Sequence, residues 1–157
     1  MRLVRFKQGE QVGFGHLEAD CVVPLAVGTF VEALTASPQG ASIPLGEVTL
    51  LSPVEKPGKI LGIGVNYAAH AAESVSFVDT KKPEVQKWFN KQVTAVNGPY
   101  AQVHLPKVSE QLDYEGELVV IIGKRGRHVP RERAFEIVAG LTVGCDYSVR
   151  DWQRASQ

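Results

Sequence analysis

The chain has 157 residues, enough for one ordinary domain or for a small domain and part of a larger one. Its composition, 44% hydrophobic and 22% charged, is that of a globular protein rather than a disordered or fibrous one. Seventeen basic residues balance seventeen acidic ones, so no global field draws it to nucleic acid or an anionic membrane, and any chemistry must come from a local constellation.

The opening MRLVRFKQGE has no apolar run after its basic residues and does not read as a signal peptide. No stretch approaches the roughly 18 apolar residues of a membrane span. Cys21 and Cys145 lie far apart and form no C-x-x-C pair, which suits a reducing compartment. The expected location is the cytoplasm, with neither membrane nor nucleic acid as a partner.

In chain order, residues 1–47 read as a small α+β domain. Residues 3–6, 11–17 and 21–23 are short strand candidates separated by polar turns, with Pro24 expected to close the third. Thr29-Phe30-Val31-Glu32 has the form of a capping box opening a short helix, and Ser37-Pro38-Gln39-Gly40 ends it. A second domain is expected over 48–157. KILGIGV at 59–65 reads as a strand whose glycines, Gly62 and Gly64, share one face and let something approach the backbone closely. Residues 66–78 read as a short helix and loop. ELVVIIG at 117–123 is the most apolar strand candidate and is expected to be buried on both faces. KRGRH at 124–128 is a basic turn, Pro130 leads a helix over 131–139 with Gly140 as its stop, and 141–146 is another strand.

The densest carboxylate signal is Asp113-Tyr114-Glu115-Gly116-Glu117. On an extended chain Glu115 and Glu117 point to one side, where two like charges repel unless solvated or bridged by a cation. An isolated E-x-E is usually a solvated strand end. Asp146, however, lies on the small polar face Thr142, Gly144, Asp146 of a mostly apolar strand, where a carboxylate needs a partner. Three converging carboxylates would form the protein side of an octahedral oxygen site for Mg²⁺, Mn²⁺ or Ca²⁺. The alternative partner for Asp146 is Arg150. His70 and Glu73 form H-x-x-E, which on a helix puts both on one face so that the acid can orient the imidazole as a base; a surface His and a surface Glu is the plainer reading. Gly62-Ile63-Gly64 fails as a dinucleotide fingerprint because Tyr67 stands at the third glycine position.

KILGIGVNYAAHAAE (59–73), KWFNKQVTAVNGPY (87–100), DYEGELVVIIGKRGR (113–127) and AGLTVGCDYSVRDWQ (139–153), in this order, resemble the fumarylacetoacetate hydrolase family. The resemblance implies a β-rich α+β fold with a mixed, rolled sheet, incomplete here, preceded by the small N-terminal domain. It implies Glu115, Glu117 and Asp146 as metal ligands, His70 and Glu73 as the acid–base pair on a mobile lid, and Lys91 and Arg150 on the substrate side. Family members continue into a G-K-S/T-F-D segment and a G-T-P-x-G loop that this chain does not contain. The implied activity is metal-dependent C–C bond cleavage in a small dicarbonyl or 2-oxo acid, with a 2-oxo acid decarboxylase or an enol–keto isomerase as alternatives and a homodimer as the full-length assembly. From another class, a non-catalytic remnant or an oligomerisation module remains open.

Overall fold

The computed structural model describes residues 1–69 and 85–155. The chain divides into two compact units, Met1–Ala33 with Ser37–Tyr100 and Leu34–Ala36 with Ala101–Gln157. Among the described residues no helix is long and apolar enough to cross a membrane.

The first unit is built on a five-stranded antiparallel sheet of order β4-β3-β2-β1-β5, comprising β1 (Leu3–Gln8), β2 (Gln11–Glu18), β3 (Cys21–Leu25), β4 (Ile43–Pro44) and β5 (Thr49–Leu51). Strand alternation sets its core. Phe14 stands opposite Leu25 in register, and both are buried together with Phe6, Val22 and Ala33. Pro24 does not close β3 but lies inside it, opposite Gly15. Its carbonyl accepts from the Gln39 amide at 2.8 Å, on the side where β4 no longer pairs, so its missing N–H interrupts no ladder. Thr49–Leu51 pairs with Lys7–Arg5 at the sheet edge, so this sheet runs through Leu51 and past the boundary at 47 drawn from sequence.

The capping box forms as expected at α1 (Phe30–Ala33). The Glu32 amide donates to Thr29 Oγ1 at 3.3 Å, while Glu32 Oε2 accepts from the Thr29 amide at 3.0 Å and the Gly28 amide at 3.2 Å. A two-stranded ladder joins β6 (Ile60–Gly64) to β7 (Lys87–Lys91). What approaches the backbone at Gly62 is the ring of Phe89, its register partner: a Cβ built there would come within 2.2 Å of the ring.

In the second unit β8 (Leu112–Ile122) and β9 (Val138–Val149) form a long antiparallel ribbon. The segment between them is a 3-10 helix over Arg131–Ile137 instead of the α-helix expected to run to 139. The Ile137 carbonyl accepts from the Gly123 amide at 2.9 Å and the Lys124 amide at 3.2 Å, which closes the hairpin and forces the chain to extend from Val138. Gly140 is therefore a strand residue opposite Ile121, not a helix stop. Burial of β8 on both faces is also not observed. Having β9 as its one ladder partner among the described residues, it exposes Leu118 (61%), Val120 and Ile122 on one side.

Candidate functional site

The ribbon has an apolar face and an acid face. Glu115 stands directly opposite Asp146, and Glu117 opposite Gly144. Opposed residues of an antiparallel pair share a face, as do residues two apart on one strand. Glu115, Glu117 and Asp146 therefore occupy the same face of the ribbon, and all three are half-buried. Gly144 is required beside them, because a Cβ there would come within 2.7 Å of Val119 Cγ2. Tyr114, Leu118, Val120, Leu141 and Val143 point to the other face and are exposed.

As the side chains stand, no group of three His, Cys, Asp or Glu residues among the described residues closes into a metal cage. Positive charge reaches the acid face from Arg150 at the start of α2 (Arg150–Ala155). Arg150 Nε and Nη2 each lie 2.8 Å from Asp113 Oδ2, Nη2 also contacts Glu115 Oε1, and Nη1 donates to Gln153 Oε1 at 3.0 Å. With about a quarter of each side chain exposed (25% for Arg150, 27% for Glu115), the pair is less screened than a surface one. Its guanidinium thus stands in for a cation on one of the three acids. Three hard carboxylate oxygens on one face are the donor type a divalent metal takes.

Arg150 is held from behind. Its amide donates to the Gln111 carbonyl at 2.9 Å. Ser109, at 7% exposure the buried polar residue of the described set, donates its hydroxyl to Asp151 Oδ1 at 2.7 Å and accepts from the Gln111 amide at 3.0 Å. Asp151 Oδ1 also accepts from the Trp152 amide at 2.9 Å, and Arg154 Nε donates to the Arg150 carbonyl at 3.1 Å. The start of α2 is thereby stitched to the residues leading into β8.

Among the other residues singled out in sequence, Lys91 ends β7 in the first unit. His70 and Glu73, with most of the lid expected over 66–78, lie outside the described residues. Sequence reading gave no role to Asp113, Ser109 or Asp151. Asp113 had a signal: D-x-E-x-E puts it on the same strand parity as Glu115 and Glu117. Ser109 and Asp151 had none, because their pairing spans 42 positions. The 3-10 helix after the basic turn carries an ion pair of its own, Arg133 Nη2 to Glu136 Oε2 at 2.8 Å, which holds the Glu136 carboxyl below its usual range.

Comparison with known proteins gives this geometry a context. Residues 59–157 match the family described as fumarylacetoacetate (FAA) hydrolase C-terminal, and residues 1–53 match one described as Rv2993c-like, N-terminal. The chain is similar to a mitochondrial oxaloacetate tautomerase of Bos taurus, 35% identical over 98% of this chain and 54% of the relative. It superposes on a 5-carboxymethyl-2-hydroxymuconate delta-isomerase from Mycobacterium smegmatis with a TM-score of 0.81 and 34% identity, covering 99% of this chain and 58% of that one. A fumarylacetoacetate hydrolase from Exiguobacterium antarcticum gives a TM-score of 0.76 at 27% identity, covering 99% of this chain and 59% of that one. The chain thus spans little more than half the length of these relatives. Strand-rich α+β architecture and a match over residues 59–157 agree: the chain belongs to the fumarylacetoacetate hydrolase family.

Proposed function

We propose that the protein interconverts enol and keto forms of a small 2-oxo dicarboxylate or related dicarbonyl, using Mg²⁺ or Mn²⁺ held by Glu115, Glu117 and Asp146. The observation that carries the reading is the shared acid face of β8 and β9, with Glu115 opposite Asp146 in register. A bound divalent cation supplies Lewis-acid stabilisation of a developing enolate oxygen. Ca²⁺ takes the same oxygen donors but binds them in a looser geometry, so the smaller ions suit three acids and a chelating substrate better.

The chain's own residues have separate tasks. Arg150 offers a planar fork of N–H donors that suits a substrate carboxylate. Gln153 and Asp113 fix the plane of that fork. An imidazole nitrogen of His70, supported by Glu73, takes the proton from the carbon next to the carbonyl and delivers it to the enolate oxygen, and carries it from that oxygen back to carbon in the reverse direction. Lys91 adds a second positive charge for the substrate. The tautomerase and isomerase relatives support this reaction over hydrolysis. A second reading, C–C bond hydrolysis, is favoured by the hydrolase from Exiguobacterium antarcticum; it uses the same enolate and needs His70 to activate water.

A homodimer is the proposed assembly of the full-length protein, and no nucleic acid or membrane partner enters the reading. Cytoplasmic location belongs to the same proposal, supported by the free thiols of Cys21 and Cys145. The reaction is tested by following the enol absorbance of oxaloacetate with full-length protein and Mn²⁺. Tautomerisation that disappears in His70→Ala is expected; an unchanged rate in that variant excludes His70 as the base.

A further inference from the structure

We propose that Asp113 is a positioning residue for Arg150: it retains the guanidinium when a divalent cation displaces it from Glu115. The inference rests on the metal reading of the acid face and adds a residue and a sequence of pairing to it.

Both Asp113 oxygens are engaged. Oδ1 accepts from the Tyr114 amide at 2.9 Å, which fixes the carboxylate, and Oδ2 faces the Arg150 fork. The fork's two contacts with Asp113 are not equivalent. Nε donates to Asp113 Oδ2, whereas Nη2 bridges Asp113 and Glu115. Loss of the Glu115 contact therefore leaves Nε–H on Asp113, and the guanidinium can turn about that bond without leaving the site. The stitching of α2 through Ser109–Asp151 and Gln111 keeps the Arg150 backbone in place meanwhile.

Charge gives the reason for such an arrangement. Asp113, Glu115, Glu117 and Asp146 share one face and repel one another when no cation is bound, and Arg150 offsets part of that cost at Asp113 and Glu115. A divalent ion at Glu115 must displace or repel the guanidinium, so Arg150 competes with the metal. Asp113 weakens this competition by giving the guanidinium a second carboxylate. After release from Glu115, the freed N–H edge of Arg150 is available to a carboxylate on the substrate.

Mn²⁺ affinity of the full-length protein, measured by titration calorimetry, tests the inference without any turnover. Arg150→Gln is expected to bind Mn²⁺ more tightly, by on the order of tenfold, because a half-buried competing charge is removed. Asp113→Asn is expected to bind it more weakly by a similar factor, and Asp113→Glu to stay near wild type. In the Arg150→Gln background, Asp113→Asn is expected to change affinity less than about threefold, since no guanidinium is left to hold. Strictly additive effects, or Arg150→Gln binding no tighter than wild type, overturn the inference while leaving the metal site standing. Absence of Mn²⁺ binding in every variant removes the metal reading and the inference together. Should Asp113→Asn fail to fold, the Arg150→Gln and Asp113→Glu titrations still decide.

Discussion

Phe89 lies across Gly62 because that register position has no side chain, and the pair locks β6 against β7. Gly62→Ala would drive a methyl into the ring and is expected to cost about 1–3 kcal/mol, the usual range for overpacking. Urea denaturation of Gly62→Ala alone and combined with Phe89→Leu checks this, the smaller side chain recovering part of the loss. The residue scale was partly legible in sequence. Period-two spacing was enough to group Glu115 with Glu117, and the same parity includes Asp113. It could not reveal that Arg150 bridges Asp113 and Glu115, because that contact depends on how α2 leaves β9 and is anchored by Ser109 and Asp151. Nor could it identify Phe89 as the group that approaches Gly62, since register between β6 and β7 is set by tertiary pairing.

At the scale of elements, α1 is governed by one local device. The Thr29 hydroxyl, then the Gly28 and Thr29 amides, hold the Glu32 carboxyl below the usual glutamate range. A depressed folded-state value means that the box contributes fully above the ordinary glutamate pKa of about 4.3 and is lost as pH falls through the lower Glu32 value. The Thr29 amide resonance should accordingly titrate with a midpoint below that of a free glutamate, and Glu32→Gln should abolish the transition. Such local signals, like the alternation behind β1 and β2, could be read directly. Burial of β8 could not, because an apolar run does not say which neighbours will cover it. The ribbon buries its acid side more than its apolar side, the reverse of what LVVII alone implies. Leu118→Lys is therefore expected to change the stability of this chain by no more than about 0.5 kcal/mol, as at other exposed positions. It should also reduce self-association through the exposed apolar face, which sedimentation velocity would detect. The 3-10 segment Arg131–Ile137 was misread as a longer helix because its end is imposed from across the hairpin, by Gly123 and Lys124 on Ile137.

For the whole molecule, family and strand-rich class were legible because four motif-bearing segments occur in order, each fixed by its own chemistry. The reaction was not, since tautomerisation and hydrolysis share a metal site and an enolate and differ in whether water attacks. The chain spans about half the length of the curated relatives it matches. A closed pocket excludes water and strengthens every electrostatic contact within it. The 157-residue chain alone is accordingly expected to bind Mg²⁺ or Mn²⁺ weakly and to turn over oxaloacetate or acylpyruvates very slowly or not at all. The central claim is that Glu115, Glu117 and Asp146 act as one metal site for catalysis. It is tested most directly by the Mn²⁺ dependence of oxaloacetate tautomerisation in full-length protein, wild type against Glu117→Ala. Saturable Mn²⁺ activation in the wild type, lost by at least about a hundredfold in the variant, is the predicted result, as expected on removing groups around a catalytic metal. Full activity of Glu117→Ala, or wild-type activity unaffected by stripping divalent metal, would contradict it.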